Sequence, residues 1–282
     1  MKNRIFVDGM ENISLNEGLV RMNFNNIVDR NGESEVTNEL IMTPVGFLKA
    51  FGAMEDLVNK LIADGVITRH TKQEEETEAE IRIGCMATLR QMEEHQGLNA
   101  YTNGAVKEAL RYIVGVQFRN LATVGGSVYG RFGFSDVLTV LLAMDTYVEM
   151  YKGGIIPLAE FVNMKYDRDI LVSIIIKKQQ ASFCYQSVRI AKTDFPVLTC
   201  ATALTEAGIR MAIGARPSKA MLVTDEEYLA TLPITADKAK AFAEYAAAKI
   251  PTANTNRGSA EYRTHLVKVL AERTIMELGG KA

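Results

Sequence analysis

The stretch of this chain best suited to chemistry is residues 119–127, RNLATVGGS, in which two adjacent glycines lie between hydroxyl side chains. A diphosphate needs several backbone N–H groups that point one way with no Cβ in the path, and adjacent glycines permit that approach. Thr123 and Ser127 add hydroxyls able to donate to phosphate oxygens. Asp136 follows Ser127 by nine positions and could accept hydrogen bonds from ribose hydroxyls. Adjacent glycines are more often a simple turn, so both interpretations remain open at this point.

Charge and composition exclude several other classes of site. The formal net charge is −2, which provides no basic field for nucleic acid, so we expect no nucleic-acid partner. The three cysteines are widely spaced and form no CxxC pair, and the three histidines are isolated. We therefore predict free buried thiols in a reducing cytosol, no metal ligands and no protein catalytic residue. An iron–sulfur cluster held by this chain alone is not expected, since such clusters need four protein ligands.

The N-terminal sequence MKNRIFVDG has no apolar signal core, and no apolar run approaches the ~20 residues needed to cross a bilayer. The expectation is a cytoplasmic protein with no membrane partner.

Three regions with different patterns must position the glycine-containing stretch. Residues 1–69 form a small unit with predicted strands at 6–7, 19–24 and 39–42 and a turn at 31–32. Its helix begins with Thr43 as N-cap and Pro44 as first residue, and Gly65 ends it. Residues 70–80 contain five glutamates and are predicted to be an acidic linker.

Two further regions follow the linker. Residues 81–164 predict a strand at 81–83, helices at 88–94 and 105–113, an extended or turn segment from 128, a buried apolar run at 137–144 and a hairpin through 153–154. Residues 165–282 predict a strand at 170–178, a three-stranded antiparallel set at 183–189, 197–205 and 209–213, and helices at 236–249 and 260–278. The fold class expected is α+β, with an α/β domain, then a three-stranded sheet with a helix bundle, behind a small strand-plus-helix unit.

Several motifs in this order resemble one family, the FAD-binding subunit of xanthine dehydrogenase and carbon monoxide dehydrogenase. They are IGCMATL at 83–89, QFRNLATVGGS at 117–127, FSDVL at 134–138, RDIL at 168–171, DFPV at 194–197, GARP at 214–217 and SAEYR at 259–263. The family has an RN-x-AT-[IV]-GG-[NS] loop and a downstream SD-[LV], and here the spacing between them agrees without a gap. The resemblance covers about residues 80–282.

The resemblance implies a PCMH-type FAD-binding domain and a role for each matching position. Its pyrophosphate-lining residues would be Thr123, Val124, Gly125, Gly126 and Ser127. Asp136 would hold ribityl or ribose hydroxyls, Leu171 would lie near the isoalloxazine, and Tyr185 would approach the flavin ring. Core packing is the alternative for Leu171 and Tyr185. The implied partners are a molybdopterin-binding subunit and a 2Fe-2S subunit, with electrons passing from iron–sulfur clusters to FAD and on to NAD or another acceptor.

Residues 1–80 depart from the family pattern, which places a second glycine-rich phosphate loop there. No such loop is present, and Gly9 and Gly52 do not reproduce it. Two hypotheses follow. In the first, the chain is a flavoprotein subunit of a xanthine dehydrogenase-like enzyme. In the second, it is a non-catalytic scaffold that keeps the fold and has lost FAD, because part of the cradle is missing.

Overall fold

The computed structural model describes residues 9–27, 34–63, 74–166, 168–227 and 229–280. The chain divides into two compact units, Met1–Thr71 and Lys72–Ala282. No helix in these ranges is both long and apolar enough to cross a membrane.

The first unit is an antiparallel three-stranded sheet followed by one helix. In chain order its elements are β1 (Gly9–Asn16), β2 (Leu19–Ile27), β3 (Ser34–Met42) and α1 (Pro44–Ala63), and β2 is the central strand. Glu17 and Gly18 join β1 to β2 with φ of 51° and 75°, the left-handed geometry that a tight hairpin requires. Thr43 caps α1 as predicted, since its Oγ1 accepts from the Gly46 amide at 3.1 Å. The predicted strand at 6–7, the turn at 31–32 and Gly65 lie outside the described residues.

The second unit contains two sheets and most of the helices. Its elements run in chain order as β4 (Glu74–Glu76), β5 (Glu80–Gly84), α2 (Leu89–Glu94), α3 (Gln96–Tyr101), α4 (Ala105–Leu110), α5 (Val116–Arg119), α6 (Val124–Tyr129), α7 (Asp136–Ala143), β6 (Thr146–Met150), β7 (Gly154–Pro157), α8 (Leu158–Phe161), β8 (Leu171–Lys177), β9 (Ala181–Arg189), β10 (Pro196–Thr205), β11 (Gly208–Gly214), β12 (Met221–Thr224), α9 (Ala236–Lys249) and α10 (Ala260–Gly279).

The first sheet of this unit is antiparallel, in the order β4-β5-β8-β6-β7. Two predicted boundaries differ from it. Residues 74–76 of the expected linker form the edge strand β4, and β8, assigned to the third region, pairs with both β5 and β6. Sequence pattern could not reveal this, because the partners of β8 lie far from it along the chain.

Helix α7 is buried at all eight of its residues, and it packs against β10 and β11. It therefore joins the first sheet's core to the second sheet, whose order is β12-β11-β10-β9. Strand β12 is a fourth member of the set predicted to have three strands. Strand β10 is buried at nine of its ten residues because α10 covers one of its faces and α7 the other. The predicted extended or turn segment from Val128 is wrong, since this residue lies in α6.

Candidate functional site

A cavity of about 550 Å³ lies between the N-terminal ends of α6 and α7, the loop after α4 and the loop that joins β9 to β10. Its size is within the ~300–1,000 Å³ typical of small-molecule sites. The side chains and backbone that line it belong to Leu89, Tyr112, Ile113, Val114, Phe118, Ala122, Thr123, Gly126, Ser127, Phe132, Phe134, Ser135, Asp136, Val137, Arg189, Thr193, Asp194, Phe195 and Pro196.

The glycine-containing stretch reaches this cavity through Thr123, Gly126 and Ser127. Its backbone amides, however, are occupied within the protein. Val124 N–H donates to Ala87 O at 2.8 Å and Gly125 N–H to Cys85 O at 2.9 Å. Gly126 N–H donates to the Oγ1 of Thr123, the N-cap of α6, and Ser127 N–H donates to the Thr123 carbonyl. The expected inward-pointing N–H groups at 124–127 are thus used to form α6 and attach it to the turn after β5.

The two adjacent glycines, Gly125 and Gly126, lie in different surroundings. A Cβ on Gly125 would lie 2.6 Å from both the Cβ and the carbonyl oxygen of Cys85, a steric clash. Gly125 and Val124 are buried, and neither is among the residues that line the cavity. A Cβ on Gly126 would meet only the Thr123 hydroxyl, at 3.1 Å. Gly125 therefore serves the close approach of α6 to the β5–α2 turn, while Gly126 leaves space in the cavity.

Asp136, the first residue of α7, forms the polar floor of the cavity with two donors. The Tyr185 hydroxyl and the Arg189 guanidinium both donate to its Oδ1. Burial raises the pKa of Asp136, and the charge of Arg189 and both hydrogen bonds oppose that shift. Burial, with the adjacent Asp136 carboxylate, holds the pKa of Tyr185 well above its ordinary value, so the phenol stays protonated and remains a donor.

The predicted flavin-contacting residues Leu171 and Tyr185 do not line this cavity. Tyr185 lies beneath the cavity, behind Asp136, and Leu171 is buried at the start of β8 opposite Met150. In the structure, both side chains belong to the hydrophobic core of the second unit.

Arg189 is the functional side chain that sequence reasoning did not place in the site. Its Nη2 donates to Asp136, and its Nη1 donates to the backbone carbonyl of Asp194 at 2.6 Å. Its Nε is buried without a hydrogen-bond partner. The Asp194 carboxylate faces Arg257, at 3.4 Å. Arg189 thus holds the β9–β10 loop over the cavity and carries a donor that the protein leaves unused.

Arg119, the first residue of the stretch 119–127, supports the opposite wall of the cavity. It is 4% exposed and binds Glu93, which is 3% exposed, through Nε–Oε2 at 2.9 Å and Nη2–Oε1 at 3.3 Å. Its Nη1 donates to the carbonyl of Ile113 at 3.1 Å, which fixes the loop that lines the cavity. Burial alone would raise the pKa of Glu93, but the hydrogen bonds and charges of Arg119 and Arg90 lower it overall.

Three phenylalanines form an aromatic rim at the mouth. Phe132 stacks on Phe134 with ring centroids 5.3 Å apart, and Phe134 meets Phe195 edge-on at 4.6 Å. Phe132, Phe134 and Phe195 are 54%, 42% and 50% exposed. Large apolar rings left this open beside a cavity are suited to contact with a planar ligand.

These features fit one part of an FAD molecule better than the other. An aromatic ring fits the phenylalanine rim, and hydroxyl groups fit the floor, where Asp136 can accept hydrogen bonds. The diphosphate does not fit, because the amides at 124–127 are already bonded. Among the described residues no group of three or more His, Cys, Asp or Glu side chains could hold a metal ion, and Cys85, Cys184 and Cys200 are free thiols.

Sequence comparison places part of this site within a known domain. Residues 59–178 match the family described as the FAD binding domain in molybdopterin dehydrogenase. This segment is therefore similar to that FAD binding domain. The resemblance noted from the motifs is thereby confirmed, and the matched FAD binding domain begins in α1, earlier than the motifs indicated. It contains residues 119–127 and Asp136, and it ends one residue after β8.

Individual proteins agree with the domain match. The Escherichia coli (strain K12) protein YgfM is 30% identical over 148 residues, 52% of this chain and 55% of YgfM. The nicotine 6-hydroxylase medium subunit of Paenarthrobacter nicotinovorans is 26% identical over 185 residues, 61% of this chain and 65% of that subunit. The chain therefore spans between about half and two thirds of the length of these relatives.

Solved structures show the same fold. Quinoline 2-oxidoreductase from Pseudomonas putida 86 aligns with a TM-score of 0.68 at 17% identity, covering 75% of this chain and 79% of that one. Carbon monoxide dehydrogenase from Hydrogenophaga pseudoflava aligns with a TM-score of 0.66 at 19% identity, covering 77% and 81%. The expected α+β fold is thus confirmed.

Proposed function

We propose that this chain is the flavin-carrying subunit of a molybdenum hydroxylase, an oxidoreductase of the xanthine dehydrogenase type. The observation that carries the proposal is the polar floor of Asp136 and Arg189 beneath an aromatic rim, in a cavity whose residues Thr123, Ser127 and Asp136 lie inside the matched FAD binding domain. A bound flavin would supply the two-electron chemistry, which is why the chain needs no protein nucleophile. The residues of this chain would bind and orient the ring and exclude water from one side of it.

The electron path and the partners are part of the same proposal. Electrons would come from 2Fe-2S clusters on one partner subunit, after oxidation of the substrate on a molybdopterin-binding subunit, and would leave for NAD or another acceptor. Two proteins similar to this chain are named for nicotine and quinoline, both nitrogen heterocycles, which supports a heterocyclic substrate on the partner chain. We place the assembly in the cytoplasm, where free thiols such as the three here persist.

The test is the visible spectrum of the full chain after incubation with flavin and removal of the excess by gel filtration. A retained flavin band supports the proposal, and Phe195→Ala should reduce retention because it removes one ring of the rim. Tyr151→Ala is the matched control, since Tyr151 is 73% exposed and does not line the cavity. A protein fraction without flavin absorbance would refute the flavoprotein function.

One observation favours a second function, a scaffold that keeps the fold without a cofactor. The amides at 124–127, expected to hold the pyrophosphate, all have acceptors within the protein. In that case the visible spectrum after gel filtration shows no flavin absorbance. The chain still binds the molybdopterin-binding or 2Fe-2S subunit in a pull-down with the purified partners.

A further inference from the structure

A second cavity, of about 400 Å³, lies between α8 and the loop that joins β11 to β12. None of its lining residues lines the cavity described above. Two of them are the cations Arg216 and Lys219, one is Asn163, the others are apolar, and no carboxylate is among them. The loop contains the motif GARP at 214–217, to which the flavin function gives no role.

The Arg216 guanidinium is held in place by two backbone carbonyls. Its Nε donates to Lys219 O at 2.8 Å and its Nη1 to Pro251 O at 2.9 Å. The preceding residue, Ala215, has a left-handed φ of 57° and donates its N–H to Gly133 O at 2.6 Å, which fixes the loop. The Nη2 atom has no acceptor in the described part of the chain and is not a buried atom, so its N–H groups are available to a ligand.

The Lys219 ammonium is fixed in a similar way. Its Nζ donates at 2.7 Å to the carbonyl of Val162, the C-terminal cap of α8. An ammonium has three N–H donors, so this contact leaves the others available. A lysine commonly stabilises the last carbonyls of a helix, which explains one of these hydrogen bonds. It does not explain why two cations line the same cavity.

The charge of both cations is uncompensated within the described part of the chain. Neither Arg216 nor Lys219 forms an ion pair with an Asp or Glu side chain there. Burial lowers the pKa of the Arg216 guanidinium and no carboxylate opposes that shift, yet an arginine stays protonated at neutral pH. An anion is the ligand that satisfies two cations whose positions are already fixed.

The apolar residues of the cavity restrict the kind of anion. Leu142, Val162 and Ala220 are buried, and Met221 and Leu222 at the start of β12 are partly buried. An inorganic ion would contact the cations and leave this apolar wall against water, whereas an organic anion also covers the wall. The volume lies within the ~300–1,000 Å³ typical of small-molecule sites.

We propose that this cavity binds a small organic anion. Its carboxylate or phosphate head contacts Arg216 and Lys219, and its compact apolar body packs against Ala220, Met221 and Leu222. This site is separate from the flavin cavity, so the inference goes beyond the proposed function and does not depend on it.

The test is isothermal titration calorimetry of the full chain with cyclohexanecarboxylate, cyclohexyl phosphate, cyclohexanecarboxamide and inorganic phosphate. The saturated ring is less suited than a planar one to the aromatic rim of the flavin cavity. We expect both organic anions to bind about tenfold or more tightly than the neutral amide or inorganic phosphate, because only they carry both the charge and the apolar body. The tighter of the two identifies the preferred head group. Raising the salt concentration should weaken both.

Ala159 permits a variant that removes no side-chain hydrogen bond, because it is an exposed residue of α8 that lines the cavity. Ala159→Glu places a carboxylate beside the two cations. It should weaken both organic anions by about tenfold relative to Ala159→Gln, which has the same size without the charge.

Three further variants locate the site. Arg216→Gln should weaken the organic anions by about tenfold. Lys268→Gln makes the same change of charge at a surface ion pair with Glu244, at 2.6 Å, and should leave them unchanged. Phe132→Ala should also leave them unchanged, since Phe132 lines the flavin cavity and not this one.

Four results would overturn the inference. They are no binding of either organic anion, equal affinities for Ala159→Glu and Ala159→Gln, a loss on Phe132→Ala, and an amide or inorganic phosphate that binds as tightly as the organic anions. Each leaves the flavoprotein function standing, because the visible spectrum with flavin tests that function separately.

Discussion

Replacing Arg119 with methionine should destabilise the second unit more than any nearby surface substitution. The change keeps an unbranched chain of similar length and removes the guanidinium that makes two hydrogen bonds to buried Glu93 and one to the Ile113 carbonyl. Removing one partner of a buried ion pair costs about 3–5 kcal/mol. Arg90 still contacts Glu93 at 2.9 Å, so we expect the lower end, about 3 kcal/mol.

The assay is urea denaturation followed by far-UV circular dichroism, since the chain has no tryptophan to report on unfolding. Arg111→Met is the matched control, because Arg111 is 47% exposed at its side chain and its ion pair with Glu108 lies on the surface. It should change the free energy of unfolding by less than about 1 kcal/mol. The double variant Glu93→Met/Arg119→Met removes both charges and should recover part of the loss of the single variant.

The same pair predicts a pH dependence with a definite sign. The pKa of Glu93 is lowered in the folded protein, so its pairing contributes stability above the ordinary glutamate pKa, 4.5 in this case, and that contribution is lost as pH falls through the folded value. Arg119→Met should therefore reduce the decrease in the free energy of unfolding that the wild-type protein shows as the pH becomes acidic. A loss below 1 kcal/mol, or an unaltered decrease at acidic pH, would show that the pair does not anchor this wall of the cavity.

The remaining predictions concern packing and thiol chemistry. Gly125→Ala should lower stability by about 1–3 kcal/mol or more, because its Cβ would overlap Cys85, whereas Gly126→Ala should cost much less; equal losses in urea denaturation would contradict this assignment. Cys200 should resist alkylation at pH 8 until the protein unfolds, since burial raises its pKa to about 11, while half-buried Cys85 should react first. Because the folded pKa of Cys200 is raised, its contribution to stability is present below its ordinary value of 9.0 and is lost between there and about pH 11.

Local pattern predicted the separate elements well. The capping threonine Thr43 lies where the sequence placed it, and Thr88, at the start of the helix predicted at 88–94, forms a reciprocal capping box with Gln91. Helix α9 has the predicted bounds. Along strands β5 and β6, buried residues alternate with partly exposed ones. These features depend on residues a few positions apart, so the chain alone contains the information. The ordered motifs likewise predicted the family that the comparisons confirmed.

The sequence by itself determined the family resemblance, the fold class and the segment that reaches the cavity, because motif spacing and periodicity are properties of the chain. Only the tertiary structure decided what those residues do there. It brings Arg189, 53 positions after Asp136, onto the cavity floor, and it bonds the amides of Val124 and Gly125 to the β5–α2 turn. Whether a backbone N–H is free to hold a ligand depends on which oxygen packs against it, and that oxygen comes from a part of the chain distant in sequence.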